Sequence, residues 1–502
     1  MIGVSQAWKD IQPRFLLPET YVEIDCTIVE GAVQASATIE GENESRISKT
    51  ISALDDDIKS IKYATNELNF WALDGSRVIA PDLTTDENVG YVSEVESRGS
   101  VVVRLPEVHV SATSGVTITW GGRYDEYPTV FEIIAKNESV TVFYKKIENN
   151  TSQVTPIFEQ LQNYDSITIN VLEWSLPHRR VRIENVVIGH IMTFKKKDII
   201  SYSHEQFGHL NSGELPKNTI SFSLDNTDGR WDPTDMGQYL SERQKIVVRY
   251  GLDINGSIEW IKAGTFYLSE WRVPANGLEA HFVARDIFEY LLNEPYTGPN
   301  NGSLYDLCTY AFHYAGVPED FRYMLDDVLR DYFTSWGEDK TYTCAEILQM
   351  CANAGKCVIY QDRDGVLWVM PLKKISTDYM IPLSLSYSHP EIELSKPIKS
   401  VSVTRDDETT YVLTVGDTGE TQTVNNPLIG NQQREIAEWV RDTLATRKTI
   451  SGEFRADPRL DVFDIVTVQS KYGDIINVAI TDIKYTYNGS FKGAYTGKVL
   501  GG

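Results

Sequence analysis

Most of the chain alternates apolar and polar positions with the period of two that is typical of β-strands. Runs rich in Val, Ile, Thr and aromatic residues recur about every 10–15 residues, and turn-forming Gly, Pro, Asn and Ser lie between them. This spacing predicts an antiparallel sandwich. In the first part of the chain the predicted strands are residues 21–29, 101–105, 116–120, 130–135, 140–144 and 167–172.

A second series of alternating runs follows this first group. The N-terminal segment is too short to close a barrel by itself, so we expect it to pair with the second series. The strands predicted here are residues 183–192, 219–224, 245–250, 264–271 and 279–285.

The middle of the chain changes to helical spacing. Residues 303–316 and 344–355 carry apolar residues on one helix face, the first run stops at a glycine, and Thr343 occupies the N-cap position of the second. Residues 356–360 and 365–370 then predict two strands around a tight turn. Together these segments predict a small α/β module.

The last part returns to strands and contains one helix, predicted over residues 432–447. The apolar stripe of this helix, which we interpret as its core side, consists of Ile436, Trp439, Val440 and Leu444. The strands predicted around it are residues 398–404, 410–415, 465–469 and 478–487.

These patterns predict a mainly β chain of the α+β class. A β unit of similar size occurs near residues 190–300 and again near 376–502, with the α/β module between them. The predicted division is residues 1–59 as the first part of a β-barrel, 60–189 as an inserted β-sandwich, 190–299 as the rest of that barrel, 300–375 as the α/β module, and 376–502 as a second barrel with one helix.

The composition narrows the possible function classes. The 502 residues include 47 basic and 71 acidic side chains, which gives a net charge of −24. A chain this acidic has no net attraction to DNA or to anionic membranes, so a basic nucleic-acid reader is disfavoured. The N-terminus lacks a signal-peptide pattern and no apolar run is long enough for a membrane span, so we expect no membrane segment.

The sequence offers little reactive chemistry. No motif of an esterase, a zinc protease, a nucleotide hydrolase or a dithiol oxidoreductase occurs, so we predict no catalytic residue, no cofactor and no metal. The odd number of cysteines predicts free, buried thiols in a protein made in a reducing cytoplasm. These cysteines are Cys26, Cys308, Cys344, Cys351 and Cys357.

Two polar motifs are interpreted as structural. His204 and His209 would point in different directions on a helix, so we interpret them as polar loop residues. Residues 225–233 lack the ligand spacing of an EF-hand loop, because Thr227 stands third and Gly229 fifth. They predict a turn that follows a strand.

Aromatic residues near strand ends of the inserted sandwich suggest sugar recognition. Trp71, Tyr124 and Tyr127 have faces that can stack on a sugar ring, and Arg123 supplies a polar neighbour. The alternative is core packing, which is our interpretation of Trp120 because it lies inside a predicted strand. We predict a carbohydrate-binding site formed by Trp71, Arg123, Tyr124 and Tyr127.

Several stretches, in their order along the chain, resemble the tail-hub or baseplate-hub proteins of tailed bacteriophages and related contractile injection machines. Residues 219–233 (TISFSLDNTDGRWDP) are similar to a family strand with an Asn/Asp-Gly turn, residues 262–271 (KAGTFYLSEW) to its G-x-F-Y-L strand, and residues 280–292 (AHFVARDIFEYLL) to its A-R-D strand and helix. Residues 454–468 (FRADPRLDVFDIVTV) resemble a G-D-P-x-L-x-x-G-D pattern, although Ala456 and Phe463 stand where glycine is common.

The insert also resembles a known domain. Residues 63–76 (YATNELNFWALDGS) are similar to the start of the galactose-binding-like jelly roll that many such tail proteins carry, and residues 168–189 resemble its last strands. The resemblance implies that the sandwich projects sideways from the hub, toward a host surface glycan or a neighbouring protein.

The hub resemblance implies a homotrimer in the virion, made in the cytoplasm of the bacterial host. Two hub β-barrels per chain would give three copies a pseudo-six-fold ring that matches a distal tail protein or the tail tube above. The true three-fold axis would accept a spike, fibre or tape-measure protein at the centre. DNA would pass through the channel without specific binding, and carboxylates lining the channel would repel its phosphates over the roughly 8 Å that physiological salt allows.

Two alternatives remain open. The chain could be a tail-associated hydrolase acting on cell-wall or surface polysaccharide, since the two carboxylates of a glycosidase need no local motif. It could also be a free carbohydrate-binding protein that uses the inserted sandwich.

Overall fold

The structure, a computed structural model, divides the chain into two compact units. The inserted unit is Cys26–Met192, and the main unit combines Met1–Asp25 with Thr193–Gly502. The predicted five-part division is finer than these two units and stays a prediction. The residues that the structure describes are 1–14, 17–29, 33, 36–41, 91–111, 113, 115–121, 126–229, 231–232, 240, 242–318, 321–337, 340–372, 376–405 and 409–500.

The inserted unit is built from antiparallel strands. A five-stranded sheet has the order β2-β4-β9-β6-β7, while β10 pairs with β3 and β5, and β5 pairs with β8. The chain enters this unit within β1 and leaves it within β10. The strands are β1 (Thr20–Val29), β2 (Thr38–Gly41), β3 (Tyr91–Glu96), β4 (Gly99–His109), β5 (Val116–Trp120), β6 (Pro128–Asn137), β7 (Val140–Glu148), β8 (Val154–Ile157), β9 (Tyr164–Trp174) and β10 (Arg180–Phe194).

The core of the inserted unit forms around Trp120. This side chain is fully buried, its ring lies 4.9 Å from that of Phe131, and its Nε1–H donates to Thr155 Oγ1 at 2.9 Å. Because the indole N–H has a partner, burial of this large ring carries no unsatisfied donor. The interpretation of Trp120 as a core residue is confirmed.

The main unit contains the remaining strands. The described ones are β11 (Ile199–Phe207), β12 (Lys217–Asp225), β13 (Lys245–Ile254), β14 (Ser257–Arg272), β15 (Glu279–Arg285), β16 (Asn301–Ser303), β17 (Arg322–Leu325), β18 (Phe333–Ser335), β19 (Val358–Gln361), β20 (Val366–Met370), β21 (Ser376–Ile381), β22 (Glu391–Leu394), β23 (Ile398–Thr404), β24 (Thr410–Thr414), β25 (Glu420–Asn425), β26 (Lys448–Phe454), β27 (Ile465–Gln469), β28 (Ile475–Tyr487) and β29 (Phe491–Val499).

One antiparallel path joins the two series of strands that the sequence predicts separately. Its order is β22-β26-β29-β28-β11-β12-β15-β14-β13, so the later series meets the earlier one at the pair β28 and β11. The register runs from Tyr202 opposite Tyr487 to Phe207 opposite Asp482. This pairing joins residues that are 275–285 positions apart in the sequence, and it makes the two series one sheet.

Five α-helices lie in the described part of the chain, four of them in or near the predicted positions. They are α1 (Gln6–Ile11), α2 (Phe288–Leu291), α3 (Leu304–Tyr314), α4 (Cys344–Ala354) and α5 (Gln433–Thr443). The predicted N-cap of α4 is confirmed, because Thr343 and Glu346 form a reciprocal capping box. Helix α5 ends before the predicted residue 447, since Leu444 already has non-helical ψ and β26 starts shortly after it.

The segment predicted as an α/β module contains both helices and strands. Strands β19 and β20 form the predicted hairpin, and β17 adds to β20 in parallel. Helices α3 and α4 contribute their apolar faces to a core that α5 also joins. The five cysteines are buried and none of them forms a disulfide bond, as predicted.

The mainly β fold class is confirmed, since strands predominate in both units. Among the described residues, no helix combines the length and the apolar character that crossing a bilayer would need.

Asp286, in the A-R-D stretch, is a buried carboxylate with incomplete pairing. Its Oδ1 accepts a hydrogen bond from the Phe288 backbone N–H at 3.1 Å, where α2 begins, and its Oδ2 has no hydrogen-bond partner among the described residues. Desolvation by burial raises the pKa of Asp286 to about 7. The charged form is therefore disfavoured in the fold.

Replacing Asp286 with asparagine should stabilise the protein more at pH 8 than at pH 5. The pKa of Asp286 rises from near 4 in the unfolded chain to about 7 in the fold, so the free energy of unfolding falls as the pH increases between these two values. An asparagine does not titrate and causes no such loss. At pH 8 we expect a gain on the order of 2–4 kcal/mol in the free energy of unfolding. Urea unfolding at both pH values measures this, and an equal effect at the two would contradict it.

Candidate functional site

Of the four residues predicted to bind carbohydrate, the structure describes one. Trp71, Arg123 and Tyr124 lie outside the described residues. Tyr127 is half-buried and packs against the core of the inserted unit. Its backbone N–H donates to Ser175 Oγ at 3.2 Å and its carbonyl accepts from the Ser175 N–H at 2.9 Å. The carbohydrate site stays a prediction.

A buried ion pair fixes the chain immediately before Tyr127. Glu126 is fully buried, and its carboxylate accepts from Arg179 Nε at 2.8 Å and from Trp174 Nε1 at 2.6 Å. Arg182 Nη1 lies 3.6 Å from the same carboxylate. The sequence analysis missed Glu126, because nothing in the local pattern separates it from an exposed loop glutamate. The signal in the sequence is a pair of arginines at the start of β10, Arg179 just before the strand and Arg182 within it.

The stretch that resembles the G-D-P pattern is held by a buried arginine from the turn between β19 and β20. Arg363 is 3% exposed, and its guanidinium donates to the carbonyls of Pro458 at 2.5 Å and Leu460 at 2.6 Å. Its Nε lies 3.3 Å from Asp461 Oδ2. The Tyr485 hydroxyl donates to the same Leu460 carbonyl at 2.7 Å. We call these five residues the Arg363 junction.

Both aspartates of the pattern act within this loop. Asp457 is fully buried and accepts from the backbone N–H and the Nε of Arg459 at 3.1 and 2.9 Å. Asp464 accepts from the Asp461 backbone N–H at 2.9 Å and forms an ion pair with the amino group of Met1. The pattern therefore serves to hold a loop in one conformation, and its acids are engaged by groups of the same chain.

Phe463 departs from the glycine of the pattern and still adopts a glycine-like backbone. Its φ is +68°, in the left-handed region that disfavours a bulky residue. A Cβ at Gly208 would come within 2.5 Å of the Phe463 ring, so the ring occupies space that only a glycine at 208 leaves free. The Phe463 ring also packs against the ring of Tyr360, with 5.6 Å between the ring centroids.

The interpretation of His204 as a loop residue is wrong. His204 lies in β11, fully buried, with Nδ1 2.7 Å from the Tyr250 hydroxyl and Nε2 2.7 Å from Asn218 Oδ1. Alternation along the strand turns it inward together with Tyr202, whose hydroxyl lies 2.8 Å from that of Tyr250. Burial lowers the pKa of His204 to about 4, so it is neutral near pH 7. His209 does lie in a loop, where its Nδ1 accepts from the Gly213 N–H at 3.0 Å.

The described part of residues 225–233 forms the predicted turn after β12. Asp225 ends β12, its Oδ1 accepts from the Thr227 N–H at 3.0 Å, and Asn226 Oδ1 accepts from the N–H of buried Trp231 at 2.7 Å. Gly229 has φ +73°. No group of three or more His, Cys, Asp or Glu suited to a metal ion occurs among the residues that the structure describes.

Replacing Arg363 with methionine should destabilise the main unit strongly. The change removes the arginine donor from the Asp461 carboxylate and from the carbonyls of Pro458 and Leu460, of which only Leu460 keeps a bond, from Tyr485. We expect a loss of about 2–4 kcal/mol in the free energy of unfolding. Urea unfolding measures it.

Arg322 provides the matched control. It is exposed and donates to the carbonyl of Asp364 at 3.0 Å, in the same turn. Its replacement with methionine should change the free energy of unfolding by less than about 0.5 kcal/mol. Similar losses in the two variants would refute the special role of the Arg363 junction.

Comparisons with known proteins give similarities of structure only. No family model and no curated protein sequence matches the chain. The chain is similar to the 43 kDa tail protein of prophage MuSo2 from Shewanella oneidensis, with 11% identity, a TM-score of 0.43, and coverage of 61% of this chain and 94% of that one.

Two further solved structures are similar to the same extent. A tail protein from Neisseria meningitidis MC58 has 13% identity and a TM-score of 0.42, over 62% of this chain and 93% of that one. The prophage tail protein gp18 from Listeria monocytogenes EGD-e has 12% identity and a TM-score of 0.41, over 62% and 91%. At these scores the similarity by itself assigns no function to this chain.

Proposed function

We propose that this chain is a structural hub of a bacteriophage tail or a phage-tail-like particle, assembled as a homotrimer. The observation that carries the proposal is the pairing of β11 with β28, which makes two successive β-strand series one continuous sheet in a single chain. Each chain contributes its two series of strands as two β units, so three chains place six β units around a three-fold axis. That arrangement suits an adaptor between a six-fold tail tube or distal tail protein and a three-fold spike, fibre or tape-measure protein.

A hub must transmit load between its neighbours without deforming, and the main unit is suited to that. The Arg363 junction ties the turn after β19 to the loop before β27 and to Tyr485 on β28. Arg363 and Tyr485 are buried and Asp461 is partly exposed, so opening the junction would leave the Arg363 guanidinium without partners in the interior. The hub resemblance of residues 454–468 falls on this same loop.

A hydrolase function is less well supported. Ser223 Oγ lies 2.7 Å from His281 Nδ1, and His281 Nε2 lies 4.0 Å from Glu279 Oε2, which superficially suggests a nucleophile and its base. Ser223, however, lies in mid-strand, with β11 on one side and β15 on the other. Backbone N–H groups committed to a sheet ladder cannot form an oxyanion hole. This arrangement therefore does not support a serine hydrolase, and we propose a non-enzymatic role.

Strand β22 offers a surface for assembly. All four of its residues are exposed, which places apolar Ile392 (50% exposed) and Leu394 (62%) in solvent together with Glu391 and Glu393. Among the described strands it pairs with β26 alone. An edge strand with apolar side chains in solvent favours pairing with another chain, and we propose that a second copy covers it.

The inserted unit has a separate role in this proposal. We propose that it makes lateral contacts with a host surface glycan or a neighbouring tail protein, through the predicted residues Trp71, Arg123, Tyr124 and Tyr127. A carbohydrate-binding protein that acts without assembly is the alternative, and the mass of the purified protein separates the two.

The full chain should have the mass of three 56.8 kDa subunits in mass photometry and form rings in electron microscopy. Replacing Ile392 and Leu394 together with lysine should shift it to single subunits, because two ammonium groups would have to be desolvated at the proposed contact. Since both side chains are exposed in the single chain, the far-UV circular dichroism spectrum of the variant should match that of the parent.

Val108 and Val110 provide a control pair with the same spacing. They are 38% and 69% exposed in the inserted unit, and their replacement with lysine should leave the mass unchanged. A parent protein that stays a monomer would sink the hub proposal. A trimer that persists in the Ile392 and Leu394 double variant would sink only the assignment of β22 as the contact.

A further inference from the structure

A trough on the outer face of the main sheet is not accounted for by the hub function. It has a volume of about 680 Å³ and runs across the strands from β29 through β28, β11, β12 and β15 to β14. Six strands at a spacing of about 4.8 Å make it about 24 Å long. This volume lies within the range of about 300–1,000 Å³ typical of ligand sites.

The floor of the trough consists of small hydroxyl side chains. Ser201 lies opposite Ser223, and Ser203 lies opposite Ser221, so four serines form a block on two adjacent strands. Thr486 extends the row of Ser203 on β28. The depression exists because serine side chains are short, while the strands around them carry longer ones.

The hydroxyls of the floor are largely unengaged by the protein. Ser223 Oγ bonds to His281 Nδ1 at 2.7 Å, but Ser201, Ser203, Ser221 and Thr486 make no side-chain hydrogen bond with any residue that the structure describes. The backbone groups beneath them are committed to the sheet ladders. The floor can therefore bond a ligand only through hydroxyl groups, each of which both donates and accepts.

Two cations stand at opposite ends of the trough without an ion-pair partner among the described residues. They are Arg272 on β14 and Lys492 on β29. On the same face of the sheet, Lys217 and Lys484 are both paired with Glu205, at 2.5 and 2.7 Å. Glu270, two positions before Arg272 on β14, is the only carboxylate among the residues that line the trough. In a chain with a net charge of −24, a lining with two cations and one carboxylate is a distinctive feature.

We propose that this trough binds an acidic oligosaccharide. A sugar chain presents many hydroxyls to the hydroxyl floor, and its carboxylates would meet Arg272 and Lys492 at the two ends. A peptide strand is a poorer match, because peptides recognised by sheets pair with a free strand edge and this floor is a sheet face. None of the residues that line the trough is among those predicted to bind carbohydrate in the inserted unit, and the site goes beyond the hub function.

Isothermal titration of the full chain tests the proposal with three acidic probes: tetragalacturonate, a hyaluronan tetrasaccharide and sialyllactose. At least one should bind more tightly than neutral maltotetraose, and added salt should weaken it. Replacing Arg272 and Lys492 together with glutamine should weaken that binding by about tenfold or more, because two charge-assisted contacts are lost. Lys217→Gln is the matched control and should change the affinity by less than about twofold.

Four results would overturn the proposal. They are no binding of any acidic probe, equal binding of maltotetraose, an unchanged affinity in the double variant, and a double variant that changes the mass of the assembly. The last result would identify the trough as a contact between subunits. Because all titrations use the purified assembly and its mass is recorded, failure of the trough and failure of the hub proposal are distinguishable.

Discussion

The main unit depends on one buried cation. The Arg363 guanidinium extends from a tight turn in the middle of the chain into the loop before β27, and there it bonds two carbonyls and one carboxylate. A buried charge is stable only when its partners are in place, so the loop and the turn have to fold together. Tyr485 connects the same loop to β28, and β28 pairs with β11. The turn and the loop are thus tied to β28 through side chains, and β28 is joined to the first series of strands through the sheet.

Local pattern was sufficient for most individual elements. The alternation of residues 279–285 matches β15 residue by residue, and the capping residue Thr343 marks the start of α4. Pattern was misleading for His204, because a histidine between polar neighbours looks exposed although period-two alternation turns it toward the core. The predicted end of helix α5 was too late because Leu444 fits the apolar stripe of the helix, although its backbone is no longer helical.

What sequence could not provide is the set of partners across the chain. The pairing of β11 with β28, the partners of Arg363 and the burial of Glu126 all join residues far apart in sequence, and loop closure leaves no local trace of such contacts. The serine trough is a similar case. Ser203 and Ser221 are unremarkable in their own strands and form a site only when the register sets them side by side.

Assembly through β22 and binding in the trough make different demands on the sheet. A second copy that pairs with β22 uses the hydrogen-bonding groups in the plane of the sheet, whereas a ligand in the trough contacts side chains that stand out from its face. Strand β26 separates β22 from β29, which begins the trough, so the edge and Lys492 are about 10 Å apart in strand spacing. Pairing at the edge extends the sheet and leaves its face accessible. The two proposals are therefore compatible, because Arg272 and Lys492 would still face solvent after the edge has been covered.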